Sequence, residues 1–155
     1  MSRTTRLSWV AAEIYIALLA IGSAGAATWM FRFFSDRGDY GELFAEAREE
    51  GLRHTLLVGA PIWLIGAAVV GLLVVIFLWR RKPWALVAAA LAAPATLGVL
   101  YVADRLLRAM EGSFYRQSDY VRLYQKAAYP LVGLTALFSL LLAIDVVVVA
   151  RRHTA

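Results

Sequence analysis

The sequence predicts an all-α integral membrane protein with four transmembrane helices, and three observations carry that prediction. First, 61% of the 155 residues are hydrophobic and only 17% are charged. A soluble domain averages about 45–50% apolar and about 25% charged. Second, the excess is gathered into four blocks, each near the ~20 residues that a helix needs to cross a hydrocarbon core of ~30 Å. Third, the blocks are continuous, without the alternation of a barrel strand, and helices satisfy their backbone polar groups internally, as lipid demands.

The first block covers about 9–31 and opens after Arg3 and Arg6. Those arginines and the small run Ala24-Gly25-Ala26 have the outline of a cleaved leader, but Glu13 interrupts its apolar centre, so the block is read as a retained span. The second block covers about 55–79, the third about 84–107 and the fourth about 127–150. Together they are expected to form one four-helix transmembrane domain over 1–155. Pro61, Pro94 and Pro130 fall within or at the start of these blocks. Pro94 removes a backbone bond and is expected to kink the third helix.

Two longer polar segments separate the first from the second block and the third from the fourth. They share a pattern: Asp39-Tyr40, Leu43, Phe44 and Ala47 recur as Asp119-Tyr120, Leu123, Tyr124 and Ala127. Tyrosine, leucine, aromatic and alanine lie at i, i+3, i+4 and i+7, one stripe of a helix. Asp39 with Glu42 forms a capping box, and Ser118 or Asp119 can cap the second stripe. Each segment is therefore expected to hold a short interfacial helix, and the chain to consist of two parallel-repeated helical hairpins.

Orientation follows from the basic residues at the helix ends. One side carries Arg3, Arg6, Arg80, Arg81, Lys82, Arg151 and Arg152 in short, acid-free flanks; the other carries nine basic residues spread over the two long segments. The raw count does not favour the first side, but density does, which places both termini in the cytoplasm. Fourteen Arg against two Lys, with abundant Ala, points to a GC-rich bacterial genome and so to the bacterial inner membrane.

The chemistry open to the chain is narrow. With no cysteine, disulfides, thiolate metal sites and iron–sulfur ligation are excluded. The two histidines, His54 and His153, sit at block ends, so neither pairs at membrane depth to hold a haem. No cofactor, no metal, no catalytic residue and no nucleic-acid partner is expected. His54, Asp104, Arg105 and Arg108 gather at the outer helix ends as ordinary headgroup-zone charges. Trp9, Trp29, Trp79 and Trp84 fit aromatic belts, and Trp63 fills a packing gap or faces lipid.

Glu13 and Asp145 are the acids inside the apolar blocks, each about 6–9 Å from the same membrane face by helical rise. Each has an arginine two turns away on its own helix, Arg6 for Glu13 and Arg152 for Asp145. They are a candidate ion-pair or proton site, with ion pairing the favoured role. In this one residue the layout resembles the small multidrug transporters, compact four-helix proteins with an essential glutamate in helix 1, and the match rests on Glu13 alone. Those proteins are shorter and tightly looped, which this chain is not.

Helix packing is expected at Gly22 and Ala26 and at Ala67 and Gly71, both small-xxx-small pairs, because small faces let helix backbones approach in lipid. The expected function is a non-catalytic accessory subunit of a larger membrane complex, with respiratory or photosynthetic electron transfer as the setting and the bilayer and other membrane subunits as partners. The alternative is a small-solute or proton-coupled transporter acting as a homo-oligomer.

Overall fold

The computed structural model describes the backbone at 3–36, 38–109 and 119–153, and side chains at 6–36, 38–106 and 126–148. The cap expected at Ser118 or Asp119 and the side chains of Arg3, Arg108, Tyr120, Leu123, Tyr124, Arg151, Arg152 and His153 lie outside the described residues. Among those described, all regular structure is helical: α1 Arg3–Ser35, α2 Tyr40–Glu50, α3 Leu52–Val58, α4 Ala60–Trp79, α5 Pro83–Ala109 and α6 Asp119–His153. Four stretches are long and apolar enough to span a membrane: Arg6–Ser35, Ala60–Trp79, Pro83–Leu106 and Lys126–Val148. The protein is a multi-pass membrane protein.

The chain divides into two compact units, one of 1–16 with 74–155 and the other of 17–73. In the first unit, α5 and α6 pack together. Helix α5 buries Ala85, Ala89 and Ala93, an i, i+4, i+8 row whose missing bulk permits close approach. Pro94 and Pro130 lie inside continuous helices. The first turns of α1 bury Ser8, Ala12, Tyr15 and Ile16 on one face.

The second unit corrects the expected second block. The helix does not start at 55: α3 stops at Val58 and α4 begins at Ala60, directly before Pro61. Proline lacks the amide that would continue the ladder, but it is tolerated in the first turn of a new helix. Gly59 is required at this junction. A Cβ there would meet the Thr55 carbonyl at 2.8 Å and the Phe44 ring at 3.2 Å. Thr55 Oγ1 bonds the Ala47 and Gly51 carbonyls, tying α3 to the end of α2. Gly51, at φ 119°, makes the turn between them in a conformation that side chains disfavour.

Helix α2 is the short amphipathic helix expected between the first two blocks, with Asp39 as its N-cap. The second long segment behaves differently. Helix α6 runs from Asp119 through the last span without a break, so there is no separate short helix at 119–127. The expected hairpin repeat is not reproduced in the helix pattern.

Candidate functional site

The two acids inside the spans, Glu13 and Asp145, both lie in the first unit, where the start of α1, the α4–α5 turn and the last turns of α6 meet. Helix α4 ends in a Schellman arrangement: Lys82 N–H bonds Phe77 O at 3.1 Å and Arg81 N–H bonds Leu78 O at 2.9 Å. The left-handed residue in that motif is usually glycine, but here it is Arg81, at φ 54°. A non-glycine residue in this region costs about 1 kcal/mol or more. Two contacts offset it. Arg81 Nη1 lies 3.3 Å from Glu13 Oε1, and the guanidinium sits over the Trp9 ring at 5.3 Å.

Glu13 is thus paired across helices with Arg81, whereas the sequence pointed to Arg6, its neighbour two turns away. The ion pair is not aligned as a hydrogen bond, since Glu13 Oε1 is buried without a hydrogen-bond partner. Asp145 accepts a hydrogen bond on Oδ2 from the buried Ser8 hydroxyl, while its Oδ1 is buried with no hydrogen bond among the described residues. Glu13 and Asp145 therefore both hold a partner from another helix or turn, and the two partners differ in kind: a cation for one, a hydroxyl for the other.

Two turns further along α1 and two turns back along α6, Tyr15 stacks on Phe138, ring centroids 4.2 Å apart. The two helices therefore run antiparallel along this seam. Tyr15 Oη and Thr135 Oγ1 are 3.1 Å apart. Thr135 already donates to the Leu131 carbonyl, so Tyr15 is the donor to Thr135. Four contributors escaped the sequence reading: Ser8, Tyr15, Arg81 and Thr135. Ser8, Ala12 and Tyr15 at i, i+4 and i+7 were the available signal, a polar and small stripe on one face of an apolar helix.

Gly22 and Ala67 are exposed, Ala26 and Gly71 are partly covered, and nothing lies within 4 Å of a Cβ built at Gly22. His54 pairs with Glu50 one turn away at 3.4 Å. Arg105 donates to the Tyr101 hydroxyl at 3.1 Å. Trp9 is 8% exposed beneath Arg81, so it sits in the protein and not in an aromatic belt, whereas Trp63 is 67% exposed and fills no packing gap.

A second polar arrangement belongs to the 17–73 unit. The Tyr40 hydroxyl donates to the Val58 carbonyl at 2.5 Å, taking up an acceptor left open where α3 stops. Its ring lies against Phe31, Phe34 and Phe44. Burial pushes the Tyr40 phenol above its usual value. Among the described residues, no three His, Cys, Asp or Glu side chains are grouped as metal ligands. The chain matches no protein-family model, no characterised protein and no solved structure.

Proposed function

We propose that this chain is a non-catalytic accessory subunit of a larger membrane complex. The observation that supports it is how little of each span the chain covers by itself. Only 6–22% of the core window of each span is buried. Small residues on two spans remain open: nothing lies within 4 Å of a Cβ built at Gly22, Gly25 or Gly66. Open small faces suit close approach by helices of other subunits, because lipid gives little hydrophobic drive and backbone proximity supplies the attraction. The pairing of Glu13 with Arg81 fits the same reading, since it commits that acid to a contact within the chain.

In this reading the spans cross a bacterial inner membrane with both termini cytoplasmic, and α2 lies in the opposite interface with its aromatic stripe at headgroup depth. A reporter fused after Ala155 is expected to read cytoplasmic and one at Gly112 external; reversed readings refute the orientation. Extraction of the tagged chain in mild detergent tests the subunit role. Larger chains of different sequence should accompany it in fixed stoichiometry, from a respiratory or photosynthetic assembly. Recovery as a homo-oligomer alone contradicts it.

One observation favours a second reading, a proton-coupled transporter acting as a homo-oligomer. Asp145 Oδ1 is buried inside a span without a hydrogen bond among the described residues. Solute-driven proton movement in reconstituted vesicles, abolished by Asp145→Asn, would select that reading.

A further inference from the structure

The α4–α5 turn reads Trp79-Arg80-Arg81-Lys82-Pro83-Trp84, three consecutive bases flanked by tryptophans. No acid occurs in the sequence between Glu50 and Asp104. The left-handed backbone at Arg81 sends that side chain to Glu13 and Trp9, so its charge is already matched. Arg80 and Lys82, on either side, are exposed, and among the described residues neither has an ion-pair partner. Trp79 is 79% exposed and Trp84 50%, the latter with its ring 4.7 Å from Phe77. Arg6, also exposed, lies at the same end, on the α1 turn whose Ser8 and Trp9 contact Asp145 and Arg81.

We propose that this turn is a binding site for an anionic phospholipid headgroup, whose phosphate sits between Arg80 and Lys82 with Trp79 and Trp84 beside the glycerol region. The argument is charge complementarity combined with depth. A turn at the end of two spans presents its bases at the height of lipid phosphates, and indole rings favour the zone just beneath. Unmatched bases near an anionic leaflet each strengthen lipid binding about fivefold. The site goes beyond the subunit role and rests only on the spans crossing a bilayer.

The test uses the full chain with Trp29 and Trp63 changed to Phe, reconstituted in mixed vesicles. Tryptophan quenching by brominated phosphatidylglycerol is compared with quenching by brominated phosphatidylcholine. The anionic lipid is expected to be preferred about 25-fold, from two contributions of about fivefold each. Arg80→Gln with Lys82→Gln should bring the ratio close to one, while Arg53→Gln in α3 leaves it unchanged. If the double variant loses its helical circular dichroism, the single variants serve, each expected to lower the preference about fivefold. Equal quenching by the two lipids in the parent chain would overturn the proposal, as would a preference that survives loss of both bases. Abolition of the preference by millimolar inorganic phosphate would instead assign the turn to free anions and overturn the lipid site.

Discussion

Two regions of the molecule satisfy their polar groups in opposite ways. In the α2–α3 segment the partners are near in sequence. Asp39 caps Gly41 and Glu42, Thr55 bonds Gly51 and Ala47, and Tyr40 reaches Val58. Where α1, the α4–α5 turn and α6 meet, the partners are far apart: Ser8 with Asp145, Tyr15 with Thr135, Glu13 with Arg81. The medium accounts for the difference. A short helix outside the spans can use turns and caps, with water as the fallback. On an apolar helix a hydroxyl can turn back to a carbonyl of its own helix, as Thr28, Thr96 and Ser139 do, but a carboxylate needs a donor or a cation, and Glu13 and Asp145 find theirs on another helix or turn.

Tyr15→Ala should be the most damaging change, because it removes a fully buried ring, its stack on Phe138 and the bond to Thr135. A loss of about 3–5 kcal/mol is expected for such a truncation, read by reversible unfolding in mixed micelles. Tyr15→Phe should cost only about 0.6 kcal/mol, the average for a hydrogen bond between membrane helices. If both changes cost the same, the seam between α1 and α6 is not held by packing.

In the α2–α3 segment the effects should be smaller and local. Asp39→Ala removes the cap and is expected to cost about 1 kcal/mol, seen as faster amide exchange confined to the first turn of α2. Tyr40→Phe should release the end of α3 by a similar amount, since one hydrogen bond is lost. The phenol's folded value is raised, so its contribution is present at neutral pH and is lost only as pH rises past the usual 10.0 and through the folded value. Protection near Val58 that falls well below pH 10 would contradict this. Exchange that instead accelerates throughout the chain would show that the two regions are not independent.

The same contrast decides what could be read from the sequence. The four spans were legible because block length against bilayer thickness is a one-dimensional property. The Asp39 cap and the α2 stripe were legible because both ends of each contact lie within one or two turns. The break at 59 had a local signal in Pro61, but the crowding that favours glycine there did not, because it involves the Phe44 ring of the preceding helix. The partner of Glu13 was not legible either. Helical periodicity pointed to Arg6, two turns away on the same helix, but it carries no information about which turn of another helix lies alongside. Likewise, Arg81 offered no glycine signal for the left-handed position it occupies.

The acid of the first span is committed to a contact within the chain, on the turn between two other helices. A double-mutant cycle on Glu13 and Arg81, with a parallel cycle on Glu13 and Arg6, tests it most directly. Arg81→Gln should cost about 1–3 kcal/mol because it strands a largely buried carboxylate. Glu13→Gln should cost less, since the arginine left behind is 47% exposed, and the double variant should resemble Glu13→Gln alone. The expected coupling is about 1–3 kcal/mol between Glu13 and Arg81 and none between Glu13 and Arg6. Coupling to Arg6 with strictly additive effects at Arg81 would contradict it.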